Sequence, residues 1–316
     1  MKTTKLMTAS TVLASLMSFT AAAGELGVYT SDATGFNTHT FFYDDGKEVV
    51  MFDTQFTPAF TEKMVEQIRQ ETDSKITQVV VTHPNPDKFN GLAYLHAQGI
   101  NSISSQSIAD AMPRVHAYKK NFWVNTMKSF TEDSYPAFEN AKVTFNKTHQ
   151  LKLKSGETIS LFELQNSGVA SKQLVARIDQ TGDLIVGDLV HHKAHAWLEG
   201  SLINGAPQPD IKAWNAALAE LPALSAGFPN AKIYGGRGEF VKVKDAVTAQ
   251  TSYLTKADQL VKTFIQEDKG TYNNPSDRYK SIADIFSNAF PDYNYPYMVQ
   301  YSVYGLYNSH KSTLSN

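Results

Sequence analysis

Residues Ile76 to Thr82, followed by His83-Pro84-Asn85-Pro86-Asp87-Lys88, decide the reading of this chain. The first part is a β-branched run that reads as a strand, and it stops abruptly at two prolines that cannot continue it. Just upstream, Thr61 to Glu71 carries Met64, Val65 and Ile68 at helical spacing, so the unit is strand, helix, strand, ending in a stiff polar loop. His, Asn, Asp and Lys crowded into six residues at a strand end mark a place where α/β proteins put chemistry. Taken alone, the same loop is equally a proline-rich turn whose Asp caps the following helix.

Working outward, Asn37 to Tyr43, the turn Asp44-Asp45-Gly46-Lys47 and the apolar Glu48 to Phe52 predict a hairpin that ends at Asp53. Downstream, Gly91 to Gln98 and Ser107 to Phe130 read as helices around a short strand, Ile100 to Ser104. Short strands follow over Val143 to Leu164, Gln173 to Ile178 and Asp183 to Val186, with Gly187-Asp188-Leu189-Val190 as the next loop. Ile211 to Leu221 is helical, and a last strand, Ala231 to Tyr234, is broken by Gly235-Gly236-Arg237-Gly238. Beyond residue 240 the pattern changes to a helical stripe, Leu254, Ala257, Val261 and Phe264, and a tail dense in tyrosine. On one helical face of that tail, Tyr297, Tyr301 and Tyr304 predict packing more than a ligand cage.

Composition narrows the classes. Residues 1–23 have the layout of a secretory signal peptide: Lys2 and Lys5, an apolar run from Leu6 to Phe19, then Ala21-Ala22-Ala23. Cleavage before Gly24 would leave 27 basic against 31 acidic residues, a formal charge of −4, which does not favour nucleic acid. The expected mature protein is periplasmic or secreted, with no membrane span. There is no cysteine among the 316 residues, so disulfides and thiolate zinc sites are excluded.

In order, the loops at Asp53, His83 to Lys88, Gly168-Val169-Ala170, Gly187-Asp188 and Gly236-Arg237 resemble the motifs of the metallo-β-lactamase superfamily over about residues 27–240. The resemblance implies an αββα sandwich over residues 24–240 with a helical, tyrosine-rich extension at 241–316. It also implies two metal sites, the first at His83, Asn85 and Val169, the second at Asp87, Lys88 and Arg237, bridged by Asp188. Only His83, Asp87 and Asp188 among these are ordinary zinc donors, and a catalytic zinc needs about three. The matching Asp53 orients the loop by hydrogen bonds in this family.

Two accounts of the site follow. In one, the cations Lys88 and Arg237 stand where a metal ion would, and offset Asp87 and Asp188. In the other, a single zinc is kept by His83, Asp87 and Asp188, with His191 and His195 recruited if that segment is helical, since residues four apart share a face. The first function class is a hydrolase of an ester, lactone, amide or phosphoester, with His83 or Asp87 as base and Lys88 or Arg237 at the developing oxyanion. Ser167 and Ser171 read as turn residues rather than nucleophiles. The second is a metal-free binding protein that holds an anionic small molecule with Trp197, the tyrosines and the two cations. The third is a homo-oligomer joined through the extension.

Overall fold

The computed structural model describes residues 24–268, 271–272 and 274–314, and the signal-peptide reading of residues 1–23 lies outside the described residues. The first half builds one sheet from β1 (Glu25–Thr30), β2 (His39–Asp44), β3 (Glu48–Phe52), β4 (Lys75–Val80), β5 (Asn101–Ser105) and β6 (Val143–Phe145), in that order. β1 to β3 pair antiparallel and β3 to β6 parallel. Parallel pairing requires crossovers, and α1 (Pro58–Glu71), the one-turn α2 (Pro86–Phe89), α3 (Leu92–Ala97) and α4 (Gln106–Asn121) lie in these connections. The helix expected to reach Phe130 runs on from α4 through a wider turn over Phe122–Thr126 and stops there.

The second sheet has the order β14 (Val241–Lys242), β13 (Lys232–Gly238), β10 (Leu184–His192), β9 (Leu174–Ile178), β8 (Thr158–Glu163), β7 (Thr148–Lys152). A small hairpin, β11 (Ser201–Ile203) with β12 (Ala206–Gln208), had no clear signal in the sequence. Outside this sheet pack α5 (Ile211–Leu224) and α6 (Val243–Glu267), followed by α7 (Pro275–Ala289), α8 (Tyr297–Ser302) and α9 (Tyr304–Leu314). This is the expected αββα sandwich with additional C-terminal helices. Between the two sheets Phe41, Met51, Val79 and Ile103 of the first meet Leu161, Leu174 and Ile185 of the second, all buried. A second core joins Val186, Trp214 and Leu218 to Tyr253, Leu254, Val261 and Phe286, so the extension is packed into the body of the molecule.

Two strands are longer than their sequence suggests. Gly187 was expected to end β10, and Gly235 to Gly238 to end β13. Instead, both strands continue side by side in parallel register, from Leu184 opposite Ile233 to His192 opposite Gly238, with irregularities around Gly187. The glycines serve close approach rather than termination. A Cβ on Gly235 would lie 2.2 Å from the Val190 carbonyl oxygen, and one on Gly236 would lie 1.9 Å from Asp188 Oδ1. No described helix is long and apolar enough to cross a membrane.

Candidate functional site

The loop after β4, the irregular middle of β10 and the end of β13 meet at one end of the sandwich. Asp53, with φ at 68°, turns the chain in left-handed conformation directly after β3. Its carboxylate accepts the Thr82 backbone N–H at 2.8 Å and the Thr82 hydroxyl at 2.9 Å. Thus Asp53 fixes the start of the His83 to Lys88 loop. Burial raises its carboxyl to about 7, although Lys88 and Thr82 act to lower it.

At the centre is Lys88, fully buried. Its Nζ lies 2.9 Å from Asp188 Oδ1, 3.0 Å from Asp87 Oδ2 and 3.9 Å from Asp53 Oδ2. Arg237 completes the cluster: Nη1 lies 2.9 Å from Asp188 Oδ1 and Nη2 lies 3.3 Å from Asp87 Oδ2. The same guanidinium donates to the Phe36 carbonyl at 2.6 Å and to Thr38 Oγ1 at 2.8 Å. Burial alone would raise the two carboxylates. For Asp188, Arg237 and then Lys88 hold the pKa well below the usual range, and for Asp87, Lys88 is the chief cation holding it down. Burial opposes the charge of Lys88 and Arg237 too, yet the facing Asp188 and Asp87 raise both.

His83 faces this cluster from the other side. Its Nδ1 is 3.1 Å from Thr82 Oγ1. The single Thr82 hydroxyl proton is donated to Asp53, so with Asp53 ionised His83 Nδ1 must be the donor and Nε2 carries the lone pair. That Nε2 is buried without a hydrogen-bond partner, 3.8 Å from Asp188 Oδ2. Burial lowers His83 to about 4. His191 is also brought in, with Nε2 3.5 Å from Arg237 Nη1 and 3.7 Å from Asp188 Oδ1, and burial lowers it to about 3.

The helical pairing of His191 with His195 does not occur, because His191 lies on a β-strand. His195 instead meets the hydroxyl of Tyr253 at 3.1 Å and the rings of Phe286, Phe290 and Tyr293. Val169, at a position that would hold a metal in the family, is buried in the apolar core. The residues present do not fit a zinc ion. Both cations are already seated on the carboxylates that would ligate it, and a divalent ion beside two permanent positive charges is repelled. Among the described residues no group of three or more His, Asp or Glu side chains is arranged to hold a metal. Lys88 and Arg237, expected at an oxyanion, are likewise turned inward onto Asp87 and Asp188.

A narrow cavity of about 30 Å³ opens on this cluster, between Asn85, Asp87, Asp188 and Arg237 on one side and Phe36, Phe56, Trp123 and Trp197 on the other. It has room for about one or two waters. Asn85 makes no hydrogen bond with its side chain and borders the cavity. Lys119 also reaches it; its ammonium pairs with Glu199, which accepts the Trp197 indole N–H at 2.7 Å and the Tyr304 hydroxyl. Sequence reasoning missed Lys119, Glu199, Phe36 and Trp123. Lys119 did leave a signal, a charged residue at helical spacing after Met112 and Val115 on the buried side of α4.

The family model of the metallo-beta-lactamase superfamily matches residues 33–236. Among curated proteins, the type 2 metallo-beta-lactamase of Bacillus cereus is 24% identical over 119 residues, 38% of this chain and 43% of that one. The type 2 enzyme of Bacillus sp. (strain 170) is 24% identical over 86 residues, 27% of this chain and 33% of that one. The chain thus aligns with less than half the length of either relative. Among solved structures, a metallo-beta-lactamase from Pontibacter korlensis superposes with a TM-score of 0.53 at 18% identity, covering 73% of this chain and 94% of that one. FIM-1 from Pseudomonas aeruginosa, in its mono-zinc form, gives 0.51 at 18% identity, covering 73% and 90%. At these identities the superpositions speak for the fold alone.

Proposed function

This chain belongs to the metallo-beta-lactamase superfamily, and from that membership together with the cation-filled site we propose that it is a metal-independent hydrolase of an ester, lactone, amide or phosphoester. The observation that carries the reading is the unpartnered Nε2 of His83, 3.8 Å from Oδ2 of Asp188, a residue that lines the cavity of water size. Two acceptors facing each other at that separation repel unless a proton donor bridges them, and one water donating to both does so. Such a water has its lone pairs turned outward. His83, unprotonated at neutral pH, takes its proton as the oxygen attacks, and Asp188 steadies the imidazolium. The free Asn85 amide, which lines the same cavity as Asp188, is our candidate donor to the developing oxyanion.

The test is hydrolysis of a small neutral 4-nitrophenyl ester in excess chelator. Activity that persists in chelator and falls about 10²–10⁴-fold in His83→Ala supports the reading. Activity that vanishes with chelator, or that is untouched by the substitution, overturns it. The competing reading, a binder of anions, is weakened because both central cations are offset by carboxylates. We further propose that the protein is exported with residues 1–23 removed, for which the expected result is a mature N-terminus at Gly24.

A further inference from the structure

We propose that the groove outside the aromatic wall of the site binds the neutral apolar part of the substrate, an aromatic ring or short alkyl chain next to the scissile bond; this rests on the hydrolase reading above. The inner cavity is too small to admit more than the reacting atoms and water. Phe36, Phe56 and Trp123, which wall it, also line a second cavity of about 550 Å³. That volume is within the usual range for small-molecule sites.

Its remaining lining is Phe130, Met127, Tyr297, Tyr301 and a few small residues, and no lining side chain carries a formal charge. Burying a charged group against such walls costs far more than burying a ring or methylenes. The chemistry therefore selects a neutral apolar occupant. The three wall rings pack edge to face or tilted, with Phe36 centred 5.1 Å from Phe56 and 5.5 Å from Trp123. They line both cavities, so the groove and the inner cavity adjoin at these rings.

The wall is tied to the site and to the extension at once. Phe36 and Asn37 both adopt left-handed backbone, φ 63° and 50°, a conformation that Asn accepts readily and that is costly for Phe36. The Phe36 carbonyl accepts from Arg237 at 2.6 Å, and Asn37 Oδ1 accepts the Tyr297 hydroxyl at 2.6 Å. Tyr297 and Tyr301 come from α8, beyond the part of the chain that the family model matches. Thus the groove is a feature that the C-terminal helices add, and they hold its inner wall in place.

The experiment titrates the full chain with N-phenyl-1-naphthylamine, a neutral dye that brightens when buried. Saturable binding of one dye per chain is expected, weakened about tenfold or more by Tyr301→Ala, which removes one wall, and by Ser129→Arg, which sets a charge at the exposed rim. Esters with a phenyl-bearing acyl group should exceed the acetate in kcat/KM by about tenfold or more, and Ser129→Arg should erase that preference. No saturable binding, or equal affinity in both variants, overturns the groove assignment even if acetate is hydrolysed. Binding that responds to both variants in a protein without esterase activity upholds the groove and overturns the hydrolase reading.

Discussion

Substituting Lys88 by methionine keeps most of the side-chain volume and removes the one ammonium that lies 2.9, 3.0 and 3.9 Å from three carboxylates. Arg237 remains, but it reaches only Asp188 and Asp87, the latter at 3.3 Å. Breaking a buried ion pair from one side costs about 3–5 kcal/mol, because the partner charge stays buried. In a protein of this size that lowers Tm by roughly 10 °C. The loss must depend on pH. Without Lys88 the stranded carboxyls have raised pKa values in the folded state, so the folded variant binds protons that its unfolded chain does not. The gap from the natural protein is then widest near pH 8 and narrows towards pH 5, by up to about 1.4 kcal/mol per pH unit for each carboxyl that titrates. Urea unfolding of both proteins at the two pH values measures it. A loss under about 1 kcal/mol, or one that widens on acidification, would refute the view that Lys88 compensates this cluster.

Arg237→Ala should destabilise by a similar 3–5 kcal/mol, and Arg237→Lys should recover little, because one ammonium cannot reproduce the fork to Phe36, Thr38, Asp87 and Asp188; an unchanged melting temperature for the alanine variant speaks against it. Burial lowers His39, His83 and His195 to about 4 and His191 to about 3, so between pH 6.5 and 4 the unfolded chain binds protons that the folded one refuses. Asp53, raised to about 7, acts in the opposite sense over the same range. The net expectation is a loss of stability on acidification of about 3 kcal/mol per pH unit around pH 5.5, and a flat denaturation profile there would contradict it. Replacing both Lys88 and Arg237 by histidine should let the site retain about one zinc per chain after dialysis, where the natural chain retains none; mass spectrometry showing equal zinc in both would count against the charge-replacement account.

The hairpin, the strand ending at His83 and the order of loops were legible because alternation, turn residues and prolines act locally. The opposite was true of Gly235 and Gly236. As residues they signal a break, and only the position of Asp188 on the neighbouring strand explains why they continue one. His191 and His195 failed for the same reason: spacing has meaning only once strand or helix is known, and the β10–β13 pairing that decides it is remote in sequence. Lys88 and Arg237 were legible as cations at positions of known role, but not the inward direction of their side chains. The aromatic wall left no local trace, since Phe36, Phe56 and Trp123 come from three separate connections.

The core beneath α6 also bears on how the chain is made. Trp214, Leu218 and Val190 have their apolar sides covered by residues near Tyr253, Leu254 and Val261, which leave the ribosome after everything in the αββα sandwich. During synthesis the second sheet, covered outside by α5 alone, therefore waits with part of its outer face bare, and its completion depends on the last quarter of the chain arriving. A message cut short after residue 240 would encode the whole buried charge cluster and still yield a product with that face partly open, a substrate for chaperones and proteases rather than a smaller working protein.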